Sequence, residues 1–472
     1  MTQSQTSLSQ AELESQLKAI VGEDKVKTDA DSLETFGKDW TKIYPPNPSA
    51  IVFPKTTEQV QAIVKLANEH QIALVPSGGR TGLSAGAVAA NGEVVVAFDY
   101  MNSISDFNAM DKSVRCGAGV ITEQLQNFAE EQGLFYPVDF ASAGSSQIGG
   151  NIGTNAGGIK VIRYGMTRDW VAGLTVVTGK GDILELNKDL VKNNTGYDMR
   201  QLFIGGEGTL GFVTEATMRL TRPAKNLTVL VLGVPEFEAI MSVLNTFQTN
   251  IDLTAFEFFS DKAMRKVVAR GDVPAPFETE AEYYALLEFE AETEGHIDQA
   301  MELFEKCMEE GWVLDGVMSQ SETQAQNLWR LREDISETIA EWTPYKNDIS
   351  VVVSKVPPFL NEIEDVVTRE YPDFEIIWFG HIGDGNLHLN ILKPDDLAKE
   401  TFFEQCAKVS TWVFEIVEKY NGSVSAEHGV GMTKKPYLEY TRSAAEIGYM
   451  RAVKAAFDPN NIMNPGKLID ME

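Results

Sequence analysis

The sequence predicts an α+β protein of more than one domain, and three observations carry that expectation. The chain has 472 residues, whereas a single domain ordinarily takes about 100–200. Its texture changes near Asn226, from short strands and Gly-rich turns to longer apolar strands low in glycine. Beyond that point two strand–helix–strand units follow one another, the pattern of helices laid on an antiparallel sheet.

In the first part, Ile51 to Phe53 reads as a strand. Thr56 and Gln59 then form a capping box ahead of a helix that carries Val60, Ile63, Val64 and Ala67 on one face. Ile72 to Val75 is a second strand and Val94 to Phe98 a third. A further helix, with Leu125, Phe128 and Ala129, stops at Gly133. In the second part, Leu227 to Val234, a helix near Phe237 to Phe247 and Thr254 to Phe259 make one unit. Tyr283 to Glu290, a helix near Ile297 to Cys307 and Trp312 to Val317 make the other. The stretch Gly271 to Glu282 is the loop between them. Leu328 to Ala340 reads as one amphipathic helix, and the tail from Ala444 as a helix ended by Pro459. No apolar run approaches the ~18 residues of a membrane span. The polar N-terminus lacks a basic leader, so no secretory signal is expected.

Composition narrows the function. A net charge of −29 argues against nucleic acid and anionic membranes as partners. Three cysteines, Cys116, Cys307 and Cys406, are odd in number and far apart, which fits a reducing, cytoplasmic compartment.

Three Gly-rich segments point to a ligand approached by backbone. Pro76-Ser77-Gly78-Gly79-Arg80-Thr81-Gly82 lies between two strands and does not open a helix, so a Rossmann fingerprint fails its own context. A backbone nest suited to a pyrophosphate is the alternative. In the stretch from Gly144 to Gly158, six of fifteen residues are glycine. Ser145, Ser146, Asn151, Thr154 and Asn155 add polar groups there, beside Gly149 and Gly150. Ile204 to Gly211 is the third segment, with Glu207 and Gly208. Together the three favour a large nucleotide cofactor over plain loops.

Three of the five histidines fall in two short motifs, HIGDGNLH (His381 to His388) and AEHG (Ala426 to Gly429). His388 and Asn390 alternate with leucine and isoleucine, so they share a strand face. His381 precedes an Asp384-Gly385-Asn386 turn that can return it to that face. Glu427 and His428, being adjacent, point different ways. His381, His388 and Glu427 form an open three-ligand set that suits Zn²⁺, with Mn²⁺ and Co²⁺ left open. His428 is then left as a base. A structural zinc site would fill four positions, commonly with cysteine, and none is near in sequence.

The segments PSGGRTG, GGNIGTNAGG, NNTGYDMRQLFIGGEGTLG and NIMNPGK, in this order, resemble the FAD domain of vanillyl-alcohol-oxidase-type flavoproteins. HIGDGNLH and EHG resemble the matching C-terminal half, and the likeness spans roughly residues 40 to 470. It implies a two-part FAD-binding domain, residues 1–225 with a returning segment 426–472, around a substrate domain, 226–425, which carries the metal site. FAD contacts are implied for the named residues of the three Gly-rich segments, Gly211 among them, and for Asn464. Arg80 stands where covalent relatives carry a flavin-linking histidine, so non-covalent FAD is implied. Gly206 replaces a more common serine and Ser336 a threonine. The resemblance assigns Arg332, Ser336 and Lys346 to a distal substrate carboxylate; in the reaction expected, Asn390 orients the C1 carboxylate and His428 takes the hydroxyl proton. The implied reaction is oxidation of a D-2-hydroxy acid, D-2-hydroxyglutarate foremost, with D-malate, D-lactate and a glycolate-type oxidase left open. Electron-transfer flavoprotein or a quinone would accept the electrons, and a homodimer is left open. A non-catalytic flavin-binding redox sensor is the rival of another class.

Overall fold

The protein is described by a computed structural model covering residues 8–41 and 43–471. The start of the N-terminal stretch, read above for a leader, lies outside the described residues. The chain divides into two compact units. The first comprises residues up to Gly157, Met166–Pro223 and the C-terminal segment from Glu427; the second comprises Gly158–Gly165 and Ala224–Ala426.

The first unit holds two sheets. Strands β1 (Val26–Lys27), β2 (Ala50–Val52), β3 (Leu74–Ser77) and β4 (Val94–Ala97) are ordered β1-β2-β4-β3, with β2 and β3 both parallel to β4. Buried on both faces, such strands read as continuous apolar runs, as Val94–Ala97 does. The helix Thr57–His70 connects β2 to β3. Its N-cap Thr56 accepts from the Gln59 amide, but the Gln59 side chain bonds the Lys55 amide at 2.7 Å rather than closing a box on Thr56. The second sheet, β5 (Ile104–Asn108), β6 (Ser113–Gly117), β7 (Val171–Thr178), β8 (Ile183–Leu186) and β9 (Gly211–Arg219), is antiparallel and ordered β5-β6-β9-β7-β8. The C-terminal segment completes the first unit. Asn464 donates its amide to Leu74 O, and Leu74 donates to Ile462 O. The buried Lys454 ammonium bonds Thr209 O and Met463 O, each at 2.7 Å, as well as the Asp458 carboxylate.

The second unit is built on a seven-stranded sheet: β10 (Leu227–Val234), β11 (Leu253–Ser260), β12 (Tyr283–Glu290), β13 (Asp315–Met318), β14 (Tyr345–Ser350), β15 (Glu375–Gly380) and β16 (Asn386–Leu392), ordered β13-β10-β12-β11-β15-β16-β14. Every pairing is antiparallel. The expected strand at Trp312 begins only at Asp315, because the Trp312 and Val313 amides are engaged by the Cys307 carbonyl at the end of the preceding helix. The expected helix Leu328–Ala340 is two pieces, Glu322–Glu333 and Ile335–Thr338, parted at Asp334. Leu328, Trp329, Leu331, Ile335 and Ile339 pack on one sheet face with Val229, Leu286, Phe259, Ile377 and Phe379. Burying such side chains stabilises by about 1.5–3 kcal/mol each. Among the described residues no helix is long and apolar enough to cross a membrane.

Candidate active site

In the first unit the Gly-rich segments lie against one another. A Cβ on Gly79 would stand 2.1 Å from Ser145 O, so only glycine permits that approach. The stretch after Ser146 contains a short helix, Ile148–Thr154. A side chain added at Gly150 or Gly153 would meet nothing within 4 Å. Nearby polar groups divide into two kinds. Asn151 donates to Thr122 Oγ1 at 2.6 Å, Ser146 and Thr122 share a 2.7 Å bond, and Asn155 Oδ1 accepts from the Arg168 amide. By contrast Ser77 Oγ, Gln147 Oε1 and Asn464 Oδ1 are buried with no hydrogen-bond partner in the protein. Such atoms cost free energy unless a ligand or water completes them, and all three belong to the segments expected to meet the cofactor. Gln147 is an addition to the residues singled out from sequence.

Arg80 bonds Gly78 O at 2.7 Å, pairs with Asp99 at 3.2 Å and lies over the Phe36 ring. Thr154 Oγ1 bonds Gly150 O. Gly208 is crowded by Pro76, and Gly211 by Val177 O within the sheet. Gly144 and Ser145 are exposed, whereas Gly158 falls in the second unit.

The buried Glu207 carboxylate accepts from the Val430 and Gly431 amides at 2.7 and 2.8 Å. Burial raises its pKa, and the two amides oppose that rise. Ser84 Oγ donates to the His428 and Gly429 carbonyls at 2.7 and 2.9 Å. The backbone of the Glu427–His428 motif is thus held within the first unit. Glu427 and His428 do not diverge as adjacency suggests: a carboxylate oxygen of one lies within 4.8 Å of a ring nitrogen of the other.

In the second unit one sheet face collects the remaining residues. Asp348, His388 and Phe379 form one cross-strand row over β14, β16 and β15, and Lys346, Asn390 and Ile377 form the next. The turn after His381 closes because Gly385, at φ +85°, brings its backbone against Val351 O. It returns His381 to His388: the ring centroids are 5.2 Å apart, with ring nitrogens within 4.8 Å. The His381 imidazole has a carboxylate on its Nδ1, Glu257 at 2.7 Å, whereas Asp348 comes no nearer than 3.8 Å to His388 Nδ1, an ion-pair distance beyond a hydrogen bond. Carboxylates in that position characteristically orient metal-binding histidines.

Arg332, only 6% exposed, pairs through Nε with Glu257 at 2.8 Å and stacks over Phe379 at 4.6 Å. Lys346 Nζ bonds Ser336 Oγ at 2.8 Å. Asn390 is buried, its amide donating to His388 O. Asp348 and Glu257 are not among the residues named from sequence. Glu257 had a visible signal, a lone carboxylate inside the apolar run TAFEFF.

Residues 223–468 match the model of the C-terminal domain of FAD linked oxidases, and residues 48–187 match an FAD binding domain. The chain belongs to the FAD-linked oxidase family. It is 72% identical over 453 residues to a D-2-hydroxyglutarate dehydrogenase of Stutzerimonas stutzeri, covering 96% of this chain and 98% of that one. It is 53% identical over 446 residues to the enzyme of the same name from Xanthomonas citri pv. viticola, covering 94% of each. Among solved structures, 4-ethylphenol oxidase from Gulosibacter chungangensis superposes with a TM-score of 0.76 at 16% identity, over 99% of this chain and 98% of that one; that likeness concerns the fold. The family member described here is therefore an FAD-dependent oxidoreductase of vanillyl-alcohol-oxidase type, as its motifs implied.

Proposed function

We propose that this protein is a D-2-hydroxyglutarate dehydrogenase, oxidising D-2-hydroxyglutarate to 2-oxoglutarate with the help of a divalent metal, Zn²⁺ by its donor set. The observation that carries the reading is the charged face of the second unit, where His388 and Lys346 stand in adjoining rows of one sheet, with His381 in the turn beside them and Arg332 on the helix packed over that face. That arrangement suits a small dianion better than a monoanion such as lactate. The relatives named above act on this substrate by name.

His381 and His388 supply two metal ligands and Glu427 the third. Glu427 follows directly on Ala426, whose amide bonds Asp348 O, and Asp348 is the ladder partner of His388. Nitrogen, nitrogen and carboxylate oxygen make up a donor set that zinc takes with positions left open. Ser77, Gln147 and Asn464 fit the FAD, which Arg80 leaves non-covalent. When bound, FAD supplies a hydride acceptor and the metal a Lewis acid. His428 takes the substrate's hydroxyl proton on a ring nitrogen, its carbonyl tied down by Ser84. Asn390 orients the C1 carboxylate. Arg332 and Lys346 hold the distal carboxylate, the first as a planar fork and the second as a point charge. Electrons leave to electron-transfer flavoprotein or a quinone. Three buried free thiols suit a reducing compartment such as the cytoplasm.

Anaerobic mixing with D-2-hydroxyglutarate tests this. Rapid loss of flavin absorbance is expected, with D-lactate and the L-enantiomer far slower. Bleaching no faster than with L-2-hydroxyglutarate would sink the assignment.

A further inference from the structure

We propose that Glu257 is a positioning residue shared by the metal site and the carboxylate site. One of its oxygens holds the His381 imidazole and the other holds the Arg332 guanidinium, so a single side chain sets both. The inference rests on the reading above, in which His381 is a metal ligand and Arg332 meets the distal carboxylate.

Glu257 lies in β11 among Phe256, Phe258 and Phe259, all fully buried, and is itself 1% exposed. A carboxylate in that setting is costly unless charged or hydrogen-bonded partners meet it. Its partners are His381 Nδ1, hydrogen-bonded at 2.7 Å, and the Arg332 guanidinium, an ion pair with Nε at 2.8 Å that is not aligned as a hydrogen bond. The same sheet face offers a contrast in Glu288, another buried carboxylate. It is bonded by Lys160, by Thr254 Oγ1 and by Trp329 Nε1 at 2.9 Å, groups the proposed reaction does not use. Both partners of Glu257, by contrast, have assigned roles.

Two geometric consequences follow. An arginine-paired carboxylate only accepts hydrogen bonds, so His381 Nδ1 donates and Nε2 is the nitrogen turned to a metal. On the arginine the Nε edge is taken, so a substrate carboxylate meets the terminal Nη1 and Nη2 pair. Phe379 fixes the guanidinium plane from below, and its ring lies 5.0 Å from that of His388. Metal retention and preference for a dianionic substrate are therefore coupled through one residue.

Glu257→Gln tests this on the FAD-loaded full chain. The amide keeps the shape and can still accept from His381, but it removes the negative charge that pairs with Arg332 and turns an NH₂ toward one of the two partners. Zinc retention is read by competition with a chromophoric chelator, and substrate preference by the ratio of kcat/KM for D-2-hydroxyglutarate over D-lactate. We expect zinc affinity to fall about 10- to 100-fold. The ratio should fall about tenfold, as expected when a charge-assisted contact loses its fixed geometry. Loss of both supports the proposal; loss of only one, or of neither, overturns it. A role confined to stability would lower the unfolding midpoint and leave the substrate ratio unchanged. If Glu257→Gln does not accumulate with flavin, Glu257→Asp is read in the same two ways, its shorter arm drawing the carboxylate back from both partners. Wild type is the control for the underlying reading. A wild type that retains no metal or ignores D-2-hydroxyglutarate overturns that reading and this inference together, whereas an intact wild type with an indifferent variant overturns this inference alone.

Discussion

The Gly-rich segments of the first unit offer backbone and small neutral groups, whereas the second gathers Lys346, His388, Glu257 and Asp348 on one sheet face, with His381 in the adjoining turn and Arg332 on the helix packed over it. The difference reflects what each must hold. The Gly-rich segments pack main chain on main chain, which demands glycine at contacts such as Gly79 against Ser145. Such packing also demands left-handed backbone at residues that are not glycine. Arg80, Asn155, Glu207 and Asn464 all have φ between +44° and +61°, and each lies in one of the motifs that matched the family. Such conformations cost on the order of 1–3 kcal/mol each and persist where the surroundings enforce them. A small hydroxy acid has few atoms, so discrimination must come from placed charges.

The largest effect expected is on the second unit's chemistry. Chelation should abolish turnover, and added Zn²⁺ should restore it, while FAD stays bound because its segments lie in the first unit. Full activity in verified metal-free protein would remove the metal from the reaction. Next comes His428→Ala. Because His428 is anchored through its carbonyl by Ser84, the substitution should leave flavin content intact while turnover falls by about 10² or more. Unchanged turnover would deny His428 its role.

Gly79→Ala probes the other side of the comparison. The added methyl meets Ser145 O at 2.1 Å, and overpacking of this kind costs about 1–3 kcal/mol. Flavin retention should drop by roughly ten- to a hundredfold, each 1.4 kcal/mol being a factor of ten, with zinc content unaltered. Equal loss of zinc and flavin would mean that the two sets of residues are not separable.

How much of this is legible in the sequence differs between the units for the same reason. Apolar strands such as Leu227–Val234 and Tyr283–Glu290 appear at the residues where their hydrophobic runs begin and end. The short helix Ile148–Thr154 does not, since its glycines are poor helix formers and tertiary packing overrides them. Trp312 and Val313 look like strand, yet their amides are committed to ending the helix before them. In the site, imidazoles are rare enough to be noticed, so His381, His388 and His428 stand out. Arg332 on its helix looks like an ordinary surface residue and was named only through family likeness. Its burial depends on Glu257, 75 residues earlier, and no local pattern reveals that pairing.

The smallest expected effect is a pH dependence from Lys346. Partial burial of its ammonium lowers its pKa from the ordinary lysine value. The ammonium form is the one that attracts a carboxylate. Affinity for D-2-hydroxyglutarate should therefore be full below the lowered pKa and fall as pH rises through it, by at most about tenfold per pH unit for one proton. Stability takes the opposite sign. The unfolded chain binds this proton more readily, so Lys346 costs most when charged in both states, and that cost disappears as pH rises past the unfolded value. KM for D-2-hydroxyglutarate should show this alkaline limb, KM for D-lactate should not, and Lys346→Met should erase it. A limb shared by both substrates, or one that survives in Lys346→Met, would move the titrating group away from the distal carboxylate and weaken the contrast between the two units.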